Sequence, residues 1–288
     1  TKEVKGIIKT EKPDVVHFLY GDVFYKYFGL GLEGLKKKHK VVNTIHALKK
    51  GKIGIVSLKR IMHLSSVGVV HTDAIFNEVK DAGIENVVHI EYPHFSTGYD
   101  IDKAGARKYY GLSENAFVLG CIGGTRYDKG LDILLKALQG VTGDFELLVA
   151  GAEDAIKREK IEELARPYGD RVKLHLSFLT DEEFEMAIQA VDAIVLPYRK
   201  TFNGASGPLG EGVAKGKMII AANHGSLGDI VEKNHLGYTF ESENIEALKK
   251  VLNMAIQRTN YTYDEKANVY KNKLSINEFK KQYCKLYF

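Results

Sequence analysis

The amino-acid sequence predicts an α/β fold built from two doubly wound domains with parallel sheets. Short runs rich in Val, Ile and Leu recur along the 288 residues, and most are separated by stretches with a helical apolar period. The runs are continuously apolar rather than alternating, which is typical of parallel strands covered on both faces. The rhythm of strand and helix also stops once and restarts, which indicates two domains.

The first domain is predicted over residues 1–95. Its strands are predicted at "DVVHFLY" (14–20), "KVVNTIH" (40–46), "VGVV" (67–70) and "NVVHI" (86–90). A full Rossmann-like domain usually holds about six strands. The opening "TKEVKGIIKTEKPDVVHF" also has the pattern of a helix end that runs into a strand. We therefore expect this N-terminal domain to be incomplete.

The second domain is predicted over residues 96–263. The stretch from 92 to 115 contains turn residues and no clear strand, so it is predicted to be a linker. A fresh first strand follows it, and strands are predicted at 116–123, 145–151, 171–177, 192–197, 217–222 and 237–240. The last segment, 264–288, is predicted to form helices that pack back toward the first domain.

Composition excludes several classes of protein. The chain is 44% hydrophobic, which is enough for a large core, and its net charge of +4 is too small to predict a nucleic-acid partner. It contains no apolar run of about eighteen residues that would predict a membrane span. Cys121 and Cys284 lie far apart and outside any Cys/His cluster, so we predict no metal site and a cytoplasmic protein.

The first informative motif is "GCIGGTRYDKGLDILLKAL", which joins an apolar strand to a helix. Gly123 and Gly124 let the backbone approach a ligand closely, and a helix that begins near Gly130 offers free N–H groups. Arg126 and Lys129 add positive charge at the same end. A diphosphate would use all of these features, and a solvated turn is the alternative. The spacing matches neither GxGxxG nor a P-loop.

The second motif lies in "LPYRKTFNGASGPLGEGVAKGKMIIAANHGSLGDIV". A glycine-rich loop that contains Asn203 leads into a helix, and Ser206 and Gly207 are predicted at its N-terminus, a second anion-binding arrangement. The same residue types also suit a plain turn. Glu211 could complement the helix dipole, or it could accept two hydrogen bonds from a ribose diol.

Taken in order, "GGTRYDKGLDILLKAL" and "SGPLGEGVAKGKMIIAANHGSLGDIVEKNHLGYTF" resemble the donor-binding domain of the retaining glycosyltransferases of family 4. The resemblance covers roughly residues 10–288 and is strongest over 116–250. It implies the GT-B architecture, in which two Rossmann-like domains face each other across a cleft. It also implies metal-independent transfer of a sugar from a nucleoside diphosphate to an acceptor hydroxyl, with retention of configuration.

The resemblance implies a role for each residue of the two motifs. Arg126 and Lys129 would hold the diphosphate, and Gly123 would allow its close approach. Glu211 would correspond to the second glutamate of the family's Glu-x7-Glu motif, which holds the ribose hydroxyls. The first glutamate would fall at Asn203, a departure that we expect to alter sugar contacts rather than abolish activity.

Further positions follow from the same resemblance. Ser206 and Gly207 would contact phosphate, and the turn at Ser177 and Phe178 would border the nucleobase. His46 ends a predicted strand of the first domain and resembles the histidine that family members point at the donor sugar and phosphates. The alternative for His46 is a surface histidine without a catalytic role.

The segment "VFYKYFGLGLEGLKKKHK", residues 23–40, interleaves aromatic residues with a lysine run. An aromatic face beside basic residues can lie on anionic lipid. The alternative is a helix that packs its aromatic face inward and leaves a solvated basic end.

These observations predict a hexosyltransferase without a cofactor, whose partners are a nucleotide-sugar and a sugar or lipid-linked acceptor. UDP is the favoured nucleotide and GDP the alternative, and the expected pathway is cell-surface polysaccharide or glycolipid synthesis. The expected location is the cytoplasm or the cytoplasmic face of the membrane. A binding module or inactive homologue is the second hypothesis, motivated by Asn203 and the short first domain. A nicotinamide-dependent oxidoreductase is disfavoured because no GxGxxG follows a strand.

Overall fold

The computed structural model describes residues 2–49, 51–95, 99, 101–202, 204–258 and 260–288. They form two compact units, each with its own sheet. The first unit contains the chain up to Tyr92 and Asn277–Phe288, and the second contains Pro93–Phe202 and Ser206–Ile276. The division after Tyr92 lies slightly before the predicted boundary at 95.

The first unit is a four-stranded sheet in the order β1-β2-β3-β4, with every pair parallel. All four strands lie within or at the predicted segments. Between β1 and β2 the chain forms two short 3-10 turns, Gly21–Tyr27 and Leu35–Lys37, rather than an α-helix. The elements are α1 (Lys2–Glu11), β1 (Val15–Phe18), β2 (Lys40–Ile45), α2 (Lys52–His63), β3 (Val67–Val70), α3 (Asp73–Asp81) and β4 (Val87–His89).

The second unit is a six-stranded parallel sheet in the order β10-β9-β8-β5-β6-β7. Its six strands lie within the six predicted segments. The elements are α4 (Lys103–Tyr109), β5 (Phe117–Ile122), α5 (Leu131–Ala137), β6 (Phe145–Ala150), α6 (Arg158–Ala165), β7 (Val172–His175), α7 (Asp181–Ala190), β8 (Ala193–Leu196), α8 (Gly207–Ala214), β9 (Met218–Ala222), α9 (Gly225–Lys233), β10 (Gly237–Phe240), α10 (Ile245–Ile256) and α11 (Glu265–Lys273).

Strand β8 shows why the apolar runs are continuous. All four of its residues are buried. Ala193 and Val195 belong to the apolar core on one face of the sheet, whereas Ile194 and Leu196 belong to the core on the other face. Successive side chains of a strand point to opposite faces of the sheet, and helices cover both faces here. Every side chain of β8 is therefore shielded from water, which is why all four positions are apolar.

The last helix, α12 (Ile276–Tyr287), groups with the first unit apart from its first residue. Tyr283 packs with Val42 and Val69 on one face of that sheet, and His17 Nδ1 lies 2.6 Å from the Tyr287 hydroxyl. Helix α11 corrects the prediction for 264–288, because it packs in the second unit. Its buried residues Ala267 and Tyr270 belong to the core of the second unit.

Candidate functional site

The order of strands in the second unit creates a switch point between β5 and β8. Strand β5 comes first along the chain in this unit, yet β8 pairs with it on one side and β6 on the other. The connections therefore leave β5 and β8 in opposite directions, and the crevice beyond their carboxyl ends is where open α/β sheets bind ligands. The loops that begin at Gly123 and at Pro197 leave the sheet at this point.

Gly123 and Lys129 lie in direct contact at the end of β5. Gly123 has φ +115°, and a Cβ atom built on it would lie 2.6 Å from the Lys129 ammonium nitrogen. That nitrogen also lies 6.0 Å from the centre of the Tyr198 ring. The backbone angle favours glycine here, and an added Cβ would also force the end of the Lys129 side chain to move.

Lys129 is a half-buried cation without a carboxylate partner among the residues that the structure describes. Burial lowers its pKa, since the charged form loses solvation. The ring face of Tyr198 offers partial compensation through a cation–π contact. An anion that entered this crevice would supply the missing partner.

Arg126, unlike Lys129, is hydrogen-bonded to a carboxylate. Its Nε donates to Asp128 Oδ1 at 2.9 Å, and its Nη2 donates to the other carboxylate oxygen. The side chain is 51% exposed, and the hydrogen bonds to Asp128 raise the pKa of the guanidinium. The Phe202 ring lies 6.0 Å from its central carbon. Arg126 is thus already paired, and its remaining N–H groups are what a ligand could use.

Arg199 fixes the turn that carries both cations. Its backbone N–H donates to Asp128 O at 2.8 Å, and its guanidinium bonds both carboxylate oxygens of Asp132 at 2.9 and 2.8 Å. The guanidinium also lies 3.9 Å from the centre of the Tyr127 ring, and only 7% of Arg199 is exposed. Sequence reasoning missed this residue. An arginine three residues after a fully apolar strand was the available signal.

Helix α5 does not follow β5 directly. A 3-10 turn, Tyr127–Lys129, separates the strand from the helix, which begins at Leu131. Asp132 lies in the first turn of α5, and Arg199 holds its carboxylate. The helix dipole therefore faces a carboxylate of the chain itself, so Lys129 rather than this helix end offers unmatched positive charge.

Ser206 caps α8. Its Oγ accepts a hydrogen bond from the Leu209 N–H at 3.4 Å and lies 3.2 Å from the Tyr198 hydroxyl. Pro208 has no N–H, so it removes one of the donors usually free at a helix start. The Gly207 N–H has no partner among the described residues and is the donor that α8 leaves for a ligand.

The two sequence motifs meet in space. A Cβ atom on Gly123 would lie 3.8 Å from Pro208 Cγ, and Lys129 and Ser206 both contact Tyr198. Tyr198 is 3% exposed and so forms a shared wall between the two loops. Gly124 continues the β5 loop, where an added Cβ atom would lie 3.5 Å from Ala152 O.

Glu211 lies beyond the first turn of α8, where the helix dipole is weak. Its Oε1 accepts a hydrogen bond from the Phe95 N–H at 2.6 Å. Burial raises the pKa of this half-buried carboxyl group. The position of Glu211 therefore favours a role in accepting hydrogen bonds from hydroxyl groups over a role in complementing the helix dipole.

Ser177 and Phe178 lie on the loop between β7 and α7, at the carboxyl end of the edge strand. Both are exposed, and 85% of Phe178 is accessible to solvent. A phenyl ring so exposed contributes little to the core and is available to stack on a planar ligand.

His46 ends β2 in the first unit. Its Nε2 bonds Leu19 O at 2.8 Å, so this nitrogen carries the proton, and its backbone N–H donates to Asp22 at 3.0 Å. The ring stacks on Tyr20 with centroids 5.0 Å apart. These contacts hold the imidazole in one orientation. Asn203 lies outside the described residues.

Within the described part of the chain, no group of three or more His, Cys, Asp or Glu residues could hold a metal ion.

Comparison with known proteins finds similarity to glycosyltransferases. Residues 116–258 match the family described as "Glycosyl transferases group 1". The chain is 28% identical over 170 residues to the glycogen synthase of Xanthomonas axonopodis pv. citri (strain 306). That alignment covers 57% of this chain and 35% of the glycogen synthase, so the chain spans about a third of that relative's length.

Solved structures establish the fold. Sucrose-phosphate synthase from Thermosynechococcus elongatus has a TM-score of 0.80 and 18% identity, covering 99% of this chain and 75% of the other. HepE of Anabaena, in complex with UDP and glucose, has a TM-score of 0.80 and 17% identity, covering 98% of this chain and 80% of the other. The chain therefore has the α/β fold of GT-B glycosyltransferases.

Proposed function

We propose that this protein is a retaining, metal-independent glycosyltransferase that moves a sugar from a nucleoside diphosphate to an acceptor hydroxyl. The donor binds to the second unit, at the carboxyl ends of β5 and β8. UDP is the favoured nucleotide and GDP the alternative. The acceptor is a sugar or a lipid-linked sugar in the synthesis of a cell-surface polysaccharide or glycolipid, on the cytoplasmic side. The reaction uses no cofactor beyond the donor.

The single observation that carries this proposal is the state of Lys129. The ammonium group is half-buried above Gly123, at the switch point of the sheet, with no carboxylate partner among the described residues. Asp128 and Asp154 act on this ammonium group only from a distance, without an ion pair, and a poorly solvated cation costs free energy, so a chain that keeps one is expected to use it for an anion. The group 1 match over 116–258 covers this region.

The chemistry follows from the charge of the leaving group. As the bond between sugar and diphosphate breaks, negative charge grows on the diphosphate, and fixed positive charge nearby lowers the barrier. Lys129 supplies that charge in a poorly solvated position, where it acts more strongly than in water. Arg126 adds N–H donors from its unpaired edge, and the Gly207 N–H adds a neutral donor.

Other residues of the second unit fit the rest of a nucleotide. Glu211 can accept hydrogen bonds from a ribose diol, since a carboxylate has two oxygens and the Phe95 N–H uses only one of its lone pairs. Phe178 offers an exposed ring for the base, beside Ser177. His46 of the first unit is proposed to act on the donor sugar and phosphates. The resemblance of the sequence motifs supports retention of configuration.

The test is nucleotide release. Full-length protein is incubated with a panel of UDP-, GDP- and ADP-sugars and neutral sugar acceptors, and free nucleoside diphosphate is measured. We expect release from one nucleotide class, faster with acceptor than without. No release with any donor, combined with a rise in melting temperature on UDP addition, would instead establish the binding module. If no nucleotide is released and UDP does not raise the melting temperature, both the glycosyltransferase and the binding module are contradicted.

Peripheral binding to an anionic membrane surface is the second part of the proposal. The segment 23–40 is not one helix. Four of its apolar residues are buried in the first unit, namely Phe24, Tyr25, Leu32 and Leu35. Others are exposed, including Val23 at 63%, Tyr27 at 58% and Leu30 at 63%. No described helix of the chain is long and apolar enough to span a membrane.

Exposed lysines accompany these apolar side chains. Lys26 lies 5.4 Å from the Tyr27 ring centre, and Lys36, Lys37 and Lys38 are all exposed. Apolar insertion together with basic charge is the pair of signals that peripheral binding to anionic lipid requires. Co-sedimentation with vesicles of phosphatidylglycerol and phosphatidylcholine tests it. Binding should need the anionic lipid and weaken in Tyr27→Ser, and equal recovery on neutral vesicles would contradict it.

A further inference from the structure

A pocket of the second unit lies at its outer sheet edge, where the proposed donor site has no residue. Strand β10 is the edge strand beside β9, and a pocket of about 510 Å³ opens next to it. Its walls come from the end of α9, from β10 and from the segment after α10. This volume is within the range of small-molecule sites.

Two tyrosines and an arginine form one wall. Arg258 Nη1 donates to the Tyr238 hydroxyl at 3.1 Å, and its central carbon lies 5.3 Å from the centre of the Tyr261 ring. Arg258 has no carboxylate partner among the described residues, so its remaining N–H groups can reach a ligand. Tyr261 is itself held by a 3.2 Å hydrogen bond to His235 O. These contacts connect the three side chains of the wall, and the guanidinium adds hydrogen-bond donors.

Carboxylates stand on the other sides of the pocket. Glu232 accepts a hydrogen bond from Thr239 Oγ1 at 2.6 Å, and Asp264 Oδ2 lies 2.6 Å from His235 Nδ1. Asp264 Oδ1 also accepts the Ala267 N–H at 3.0 Å, so both of its oxygens are engaged, whereas Glu232 keeps acceptor capacity on its second oxygen. The lining carries both signs of charge, with the carboxylates of Glu232 and Asp264 and the guanidinium of Arg258.

The edge of β10 adds unused backbone groups. Ile219 N–H donates to Leu236 O and Asn223 N–H donates to Phe240 O, so the even-numbered residues of β10 face β9. The N–H and C=O groups of Gly237 and Thr239 consequently point away from β9, and both residues line the pocket. They supply further donors and acceptors at fixed positions.

We propose that this pocket binds a sugar residue of a neutral glycan chain, separate from the donor site. An anion or a cation would meet groups of its own sign. A neutral polyhydroxylated ring instead uses the guanidinium and carboxylates as partners for its hydroxyls and the tyrosines for its apolar face. The choice of sugar as the ligand rests on the proposed function. Such a site would hold a growing or acceptor chain on the enzyme.

The test uses the full chain and maltoheptaose as the probe, with binding followed by titration calorimetry. We expect wild-type binding, at least tenfold weaker binding in Arg258→Ala, and weaker binding in Glu232→Gln. Arg258 is exposed, so its removal leaves the core intact. Lys250→Ala, at an exposed position of α10, is the matched control and should bind as wild type.

Three results would overturn this proposal. One is no binding of maltoheptaose, dextran oligosaccharides or cellohexaose by the wild type. Another is unchanged affinity in both pocket variants. The third is that the pocket binds extended peptides, which would pair with the edge of β10, and binds none of these oligosaccharides. UDP stabilisation of the same variants is measured in parallel. If UDP does not stabilise the wild type, the proposed donor site is contradicted and the glycan pocket is not, because Arg258 and Glu232 take no part in the donor site.

Discussion

Replacement of Lys129 by methionine isolates the charge that the proposed function depends on. Methionine keeps the length of the apolar stem beside Tyr198 and Gly123, and it removes the ammonium group. A hydrogen bond to a charged group contributes about 1.5–3 kcal/mol. Since every 1.4 kcal/mol is roughly tenfold in affinity, we expect Lys129→Met to bind UDP about 10- to 100-fold more weakly.

Stability should move in the opposite direction. The pKa of Lys129 is lowered by burial, so the folded state holds its proton less tightly than the unfolded chain does. The ammonium group therefore destabilises the fold at any pH below its folded pKa, and this cost fades as the pH rises through that value toward the ordinary 10.5. Lys129→Met should match or exceed the wild-type stability at neutral pH, and the difference should narrow in alkaline buffer.

The assay combines urea unfolding across pH with calorimetric titration of UDP. Because a bound diphosphate restores the pKa of Lys129, binding in alkaline buffer should take up protons in the wild type and not in Lys129→Met. Lys136→Met is the control, since Lys136 is 50% exposed and lies 3.9 Å from Asp132. A Lys129→Met protein that binds UDP as tightly as the wild type would refute the reasoning.

Four further substitutions test the surrounding site. Gly123→Ala should cost about 1–3 kcal/mol in urea unfolding because its φ is positive, and it should weaken UDP binding because its Cβ would displace the Lys129 ammonium group; wild-type stability and wild-type UDP affinity would contradict this account of Gly123. Glu211→Gln should weaken UDP binding about tenfold and leave inorganic pyrophosphate binding unchanged; equal losses for the two ligands would move Glu211 away from the ribose. Phe178→Ala should lower UDP affinity by about 1–3 kcal/mol with no change in melting temperature, as its ring is 85% exposed; unaltered affinity would remove it from the base site. Arg199→Met should lower the free energy of unfolding by about 3–5 kcal/mol, since the Asp132 carboxylate loses its two short hydrogen bonds and keeps only the 3.9 Å contact with Lys136; a near-neutral effect would contradict its structural role.

Much of the fold could be predicted because burial on both faces leaves a local trace. A strand such as Ala193–Leu196 is apolar at every position, since each face of its sheet meets a layer of helices. The restart of the strand–helix rhythm after the linker likewise reflects a local change in composition. The break at Tyr92 was harder to place, because a boundary depends on which residues contact each sheet.

Helix α11 shows the limit of such reasoning. Its amphipathic pattern predicts an apolar face, and the pattern is the same whichever core covers it. Ala267 and Tyr270 pack in the second unit, whereas Tyr283 of α12 packs in the first. The segment 23–40 is a similar case, since its aromatic residues divide between the core and the surface without a helical period.

The sequence by itself determined the candidate cations, the glycines and the two loops that carry them. Those follow from residue type and from the place of each motif after an apolar strand. Only the tertiary structure decided that Arg126 is paired with Asp128, that Lys129 is not paired with a carboxylate among the described residues, and that Arg199 braces the turn. The physical reason is that charge compensation depends on distances between groups, and residues adjacent in sequence can differ completely in which partners they reach.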